Sequence, residues 1–170
     1  EGIEEYDVVL PEPETLDSSV LEGSVLGYDK IRVLENSDTL PLKYDYFKVD
    51  ALVFEKIRAR SAVLRNRNTG KAVRVSFAGF DYFLLWTMPG APYICMEPWC
   101  GISDRIDTDK NFKTKEGIQH IKKGDTYKCE HTFEIIKVLP YVLVLALAII
   151  GVNVFLTLTI GIFAAGIIGM

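Results

Sequence analysis

Ser61-Ala62-Val63-Leu64-Arg65-Asn66-Arg67-Asn68-Thr69-Gly70-Lys71-Ala72-Val73-Arg74-Val75-Ser76-Phe77 reads as two strand-like runs, 62–65 and 72–77, folded about the turn Asn66-Arg67-Asn68-Thr69-Gly70. Val73, Val75 and Phe77 alternate with Ala72, Arg74 and Ser76, a period of two that turns one side of a strand toward a core. Downstream, 81–87 is almost continuously apolar, as a strand buried on both faces is. Pro89-Gly90-Ala91-Pro92 breaks that run, and 93–96 resumes as a short strand. In Tyr127-Lys128-Cys129-Glu130-His131-Thr132-Phe133-Glu134-Ile135 the bulky residues fall on odd numbers, which predicts a half-buried strand after the turn Lys123-Gly124-Asp125. Upstream, 8–10 and 24–33 hold strand-like runs punctuated by Pro11, Pro13 and Pro41, and 40–50 reads as a loop or a short helical turn. No internal repeat and no extended amphipathic helix interrupts this pattern. The expectation is an all-β, antiparallel domain over 1–138.

The charges divide the chain in two. Lysine and arginine number 19 and aspartate and glutamate 23, for a net charge of −4, and every one of them precedes Val138. The tract 139–170 is uncharged and dominated by Val, Leu, Ile, Ala and Phe, as membrane-grade sequence is. The composition therefore argues against a simple globular chain, and the apolar content of the first part argues against disorder. A net negative charge with only short basic clusters argues against a nucleic-acid partner. Cys95, Cys100 and Cys129 form no CxxC, and neither they nor His120 and His131 have a zinc-ligand spacing, so reduced thiols and no metal are expected. The chain starts at Glu1-Gly2-Ile3 without a secretory signal and ends at Met170 without a charged flank, which reads as a piece of something longer.

Pro92-Tyr93-Ile94-Cys95-Met96-Glu97-Pro98-Trp99-Cys100-Gly101 carries the most chemistry. Pro98 pushes Glu97 toward an extended conformation, and alternation sets Cys95 and Glu97 opposite Ile94 and Met96. Apolar and aromatic neighbours disfavour the ionised carboxylate, which suits a general base near neutral pH. Trp86 and Trp99 offer flat indoles of the kind that stack on sugar C–H faces. Each feature has a plainer reading: a glutamate paired with an arginine, or core tryptophans. Asp104, Asp107 and Asp109 lack the glycine and ligand pattern of a calcium loop and read as a solvated turn. Lys71, Arg74 and Arg105 read as surface charge rather than as a phosphate clamp.

The segment from Ala91 to Asp104 strongly resembles the strand of aldose 1-epimerase (galactose mutarotase-like) proteins that carries the catalytic glutamate, in the bacterial LacX-type branch. Leu40-Pro41-Leu42, Asp50-Ala51-Leu52-Val53-Phe54, Gly70-Lys71-Ala72-Val73-Arg74-Val75, Leu84-Leu85-Trp86-Thr87 and Lys115-Glu116-Gly117-Ile118 follow that branch's order. The resemblance covers about 1–138, roughly the C-terminal half of such a domain. It implies an antiparallel β-supersandwich, here incomplete, and interconversion of the α and β anomers of an aldose without metal or organic cofactor. Glu97 matches the base that takes the anomeric proton, and Asp50 resembles a sugar-binding aspartate. The implied general acid is a histidine in a His-Pro motif, which these 170 residues do not contain. Neither His120 nor His131 matches its position. Losing a general acid costs a factor on the order of 10²–10⁴.

The tract opening Leu139-Pro140-Tyr141 has helical length of about 50 Å against a hydrocarbon core of about 30 Å. It predicts one transmembrane helix of about 20 residues, or two shorter ones broken at Gly151-Val152-Asn153. Gly161, Ala165 and Gly169 have the spacing of close helix contact, and the tract resembles a transmembrane segment of NhaC-type Na⁺/H⁺ antiporters. Lysines precede it and no basic residue follows, which places the β part in the cytoplasm. Three functions stay open: an epimerase-like isomerase acting on a free hexose or hexose phosphate, a non-catalytic membrane-tethered carbohydrate-binding module, and a fusion with a transporter fragment. A missing N-terminal half or an oligomer would cover the sandwich edges.

Overall fold

The computed structural model describes residues 2–48 and 50–136. Its elements are β1 (Tyr6–Glu22), β2 (Val25–Pro41), β3 (Leu52–Phe54), β4 (Ser61–Asn66), β5 (Ala72–Ser76), β6 (Tyr82–Trp86), β7 (Cys95–Trp99) and β8 (Thr132–Ile136), with single 3₁₀ turns at Ile3–Glu5 and Tyr44–Phe47. Among the described residues there is no α-helix, and none is long and apolar enough to cross a membrane. The transmembrane segment expected over 139–170 lies outside the described residues.

All the strand pairs are antiparallel, in the order β7-β6-β3-β1-β4-β5-β8, with β2 paired to β1. The hairpin β1–β2 is the frame. β2 follows one edge of β1, and the other edge is divided between β4, which meets residues 6–9, and β3, which meets Ser19. Two wings, β4-β5-β8 and β3-β6-β7, thus hang from one long strand, and the sheet curls so that they share a core. Leu52, Phe54, Phe83 and Leu85 from one wing pack with Ala62, Val75 and Phe77 from the other. Phe77 and Phe83 stack across the gap with centroids 4.6 Å apart.

The predicted hairpin forms for a local reason. Buried Asn66 accepts from the backbone N–H groups of Asn68 (2.9 Å) and Thr69 (2.8 Å), and Gly70 supplies the left-handed residue, φ +70°, that returns the chain. Two expectations changed. Pro11 and Pro13 do not break a strand but sit inside β1, where the pairing jumps from Val9↔Thr39 to Glu14↔Ser37. Within that irregularity a missing N–H costs no ladder bond. The irregularity also turns Glu14 inward, where its buried carboxylate accepts from the N–H groups of Arg58 (3.0 Å) and Ala59 (2.6 Å) and pins the β3–β4 connection. The second change is at the other end. Of the predicted strand 127–135 only 132–135 pairs, as part of the edge strand Thr132–Ile136, and its apolar side is open, with Phe133 58% and Ile135 74% exposed.

Candidate functional site

The second face of the β3-β6-β7 wing carries a smaller core of Leu26, Val53, Tyr82, Leu84 and Ile102, with Trp99 packed against it. Strand register builds what stands beside it. Val53 pairs with Leu84, and Leu84 with Glu97, so one row across three strands points to one side. Trp86 lies two residues from Leu84, and Trp99 two residues from Glu97, so both indoles share that side. Turn chemistry holds the register. Buried Thr87 donates its hydroxyl to the Tyr93 carbonyl at 2.6 Å and closes the proline-rich link between β6 and β7. β7 is the opposite edge of the sheet from β8, which is why it tolerates Pro98 in its interior. Glu97 therefore sits mid-strand rather than just past the short strand expected over 93–96.

A cavity of about 330 Å³ opens on this face, and Asp50, Trp86, Glu97 and Trp99 all line it. Leu21 at the end of β1, Gly23 and Ser24 of the β1–β2 turn, Ala51, and Ile102 with Ser103 from the segment after β7 join Val53 and Leu84 in completing the wall. Sequence reasoning missed these, because they arrive from parts of the chain that no local pattern connects. Glu97 is half-buried, and its Oε2 accepts the indole N–H of Trp99 at 3.1 Å, so Trp99 holds the carboxylate as well as presenting a ring. Burial, and then the Glu97 carboxylate beside it, push the Cys95 thiol up. Asp50 is half-buried, with Oδ1 accepting its neighbour's N–H, from Ala51 at 2.7 Å. Trp86 leans on Tyr93 with ring centroids 6.1 Å apart.

A clamp beside the cavity holds its outer wall. Leu26 donates to the Asp104 carbonyl (2.8 Å), and Ile106 donates to the Leu26 carbonyl (3.0 Å). Arg105 bridges Glu55 (2.6 Å) and Glu116 (2.8 Å), and Ser19 donates its hydroxyl to Glu55. Burial alone would raise the Glu55 pKa, but the Ser19 and Arg105 hydrogen bonds and the Arg105 and Lys30 charges outweigh it and hold that carboxyl below its ordinary value. Lys115 pairs with Asp104. Gly117 sits at φ +73° against Gly101, where a Cβ would meet the Gly101 Cα at 3.0 Å.

Other candidates lie elsewhere. Arg105 is engaged by the two carboxylates, Arg74 pairs with Glu134 across the β5–β8 edge, and neither they nor Lys71 lines the cavity. Asp104, Asp107 and Asp109 each have their own partner, in Lys115, the Tyr28 hydroxyl and Asn111. Among the described residues no His, Cys, Asp and Glu cluster is arranged to hold a metal. His120 is exposed, and His131 packs edge-on against Phe80 and Phe133; neither lines the cavity.

The same arrangement of strands occurs in solved structures. A galactose mutarotase related enzyme from Lactobacillus acidophilus superposes with a TM-score of 0.71 at 27% identity, over 81% of this chain and 47% of that one. The fold is galactose mutarotase-like. A galactose mutarotase-like protein from Lactobacillus casei agrees, with a TM-score of 0.63 at 19% identity over 78% of this chain and 46% of that one. The plasmid and chromosomal LacX proteins of Lactococcus lactis subsp. lactis are each 31% identical over 140 residues, 80% of this chain and 47% of theirs. These similarities support the aldose 1-epimerase-like family. The chain spans about half the length of the curated relatives it matches. No protein-family model matches it. None of these relatives carries a transporter's name, and they lend no support to the antiporter likeness of the tail.

Proposed function

We propose that the cavity is the carboxylate-bearing part of an aldose 1-epimerase-type sugar site. The observation that carries this reading is the convergence of Asp50, Trp86, Glu97 and Trp99 on one wall. Glu97 is the general base: it takes the proton of the anomeric hydroxyl, the ring opens as its oxygen is protonated, and rotation about C1–C2 with reclosure inverts C1. The Trp99 N–H orients the carboxylate, Asp50 accepts a sugar hydroxyl, and the Trp86 and Trp99 rings receive C–H faces. The substrate class is a free hexose or hexose phosphate, and the β part faces the cytoplasm.

Protonation of the ring oxygen needs an acid. The described cavity wall carries two carboxylates and no histidine, lysine or arginine. The described residues accordingly supply this site with its base and no acid, and a sample of the chain is expected to turn over near the uncatalysed rate. That same observation favours a second reading, a carbohydrate-binding module that does no chemistry.

The test is polarimetry of fresh α-D-glucose and α-D-galactose with the full chain, alongside tryptophan fluorescence titration with the same sugars. The proposal predicts a saturable fluorescence change, lost in Trp86→Ala, with mutarotation close to the buffer rate. No sugar-dependent change would overturn the sugar site. A large acceleration abolished by Glu97→Gln would overturn the claim that the acid is missing.

A further inference from the structure

The aromatic wall of the cavity continues past its rim. Trp86 lines the cavity, and Tyr93, which does not, leans on the Trp86 ring with centroids 6.1 Å apart and planes tilted by 50°. Register explains the contact. Trp86 pairs with Cys95, and Tyr93 lies two residues before Cys95, so extended chain turns Tyr93 to the side that carries Trp86, Glu97 and Trp99. Tyr93 is 41% exposed. Its backbone is nevertheless held firmly. Thr87 donates its hydroxyl to the Tyr93 carbonyl at 2.6 Å, Ala91 donates its N–H to the Met88 carbonyl at 2.9 Å, and the Tyr44 hydroxyl donates to the Ala91 carbonyl at 2.8 Å. An exposed ring on a link pinned in this way is a preorganised surface, which lowers the ordering cost of binding.

We propose that the ledge formed by Trp86 and Tyr93 is a second sugar subsite, and that the ligand of the whole site is a reducing disaccharide. The inference rests on the reading of the cavity as a sugar site and extends that site outward. The reducing ring occupies the cavity, with its anomeric hydroxyl at Glu97, and the second ring lies over Tyr93. Distance sets the number of rings. At the rise of a strand, the four residues from Tyr93 to Glu97 span about 13 Å, more than one pyranose ring covers and within reach of two linked rings. Chemistry sets the orientation. Only a reducing end keeps the anomeric hydroxyl whose proton Glu97 takes, so the ring locked in the glycosidic bond is the outer one. Tyr93 offers that ring a flat, rigid face for its C–H groups, and it has no part in the proton transfer.

The experiment titrates the full chain with D-glucose, maltose, cellobiose and trehalose, followed by tryptophan fluorescence, and repeats the series with Tyr93→Ala and Tyr93→Phe. The expected result is that maltose or cellobiose binds about threefold to tenfold more tightly than glucose, the size of one aromatic contact. Trehalose, whose anomeric carbons are both locked in its glycosidic bond, shows no such gain. Tyr93→Ala removes the difference between disaccharide and glucose, and Tyr93→Phe keeps it. Disaccharides that bind no more tightly than glucose would overturn the subsite and leave the cavity reading standing. A difference that survives Tyr93→Ala, with glucose and disaccharide weakened alike, would overturn it too, by making Tyr93 a prop for Trp86. Absence of a response to every sugar in the wild type would instead overturn the sugar site itself, and the subsite with it.

Discussion

Gly117→Ala separates two costs that the fold combines at one position. At φ +73° an L-residue with a Cβ is strained by about 1–2 kcal/mol. The added methyl would also stand 3.0 Å from the Gly101 Cα, 3.2 Å from Tyr82 Cε2 and 3.3 Å from the Cys100 carbonyl oxygen. Two of those atoms are backbone, so relief requires the 101–118 segment to move, and overpacking of this kind costs about 1–3 kcal/mol more. Gly70→Ala is the internal control: its φ is +70°, but nothing lies within 4 Å of the added carbon. Urea denaturation should therefore show Gly70→Ala weaker by about 1–2 kcal/mol and Gly117→Ala by about 2–5 kcal/mol. At a typical slope, that difference moves the midpoint by about 1 M. Because the same segment carries Ile102 and Ser103, Gly117→Ala should also weaken the sugar-dependent fluorescence change while Gly70→Ala does not. Equal destabilisation by the two variants would refute the close approach of Gly117 to Gly101 and the role given to this loop.

Glu55 should make stability depend on acid. Its carboxyl is held below the ordinary value of about 4.3, so its contribution is present above that pH and is lost as pH falls through the lowered value. Glu55→Gln should cost about 1–3 kcal/mol at pH 7, with the gap to wild type narrowing below about pH 4; a gap that stays constant from pH 7 to pH 3 in urea titrations would contradict the clamp. Phe77→Ala should destabilise by about 3–5 kcal/mol, since that ring is fully buried and stacked on Phe83 between the wings. Phe133→Ala should stay within about 0.5 kcal/mol; comparable losses in calorimetry would contradict the open side of β8.

What the sequence made legible was what neighbours in the chain decide. The β4–β5 hairpin needs only Asn66, Gly70 and alternation, and β6 only its unbroken apolar run. Sharing of a face by Glu97 and Trp99 follows from the period of two along β7. That Asp50 and Trp86 join them depends on β3, β6 and β7 being neighbours, a long-range pairing that no local spacing encodes. The prolines misled because their meaning depends on pairing: Pro11 and Pro13 fall where β1 changes partner, so a residue type that reads as a break marks an irregularity inside a strand. Alternation over 127–135 was real but did not specify a ladder. Tyr127 turns to Cys100 and His131 to Phe80, while Phe133 and Ile135 alternate toward solvent.

The most direct test of the base role of Glu97 is mutarotation in imidazole buffer, where imidazolium supplies the acid that the described cavity lacks. Wild-type protein and Glu97→Gln are compared with fresh α-D-galactose over a range of imidazole concentrations, against imidazole alone. The account predicts that wild type accelerates anomer interconversion beyond imidazole alone, increasingly with imidazole, and that Glu97→Gln does not. Identical rates for the two proteins, with the sugar still binding both, would contradict the assignment of Glu97 as the base and leave a binding site without chemistry.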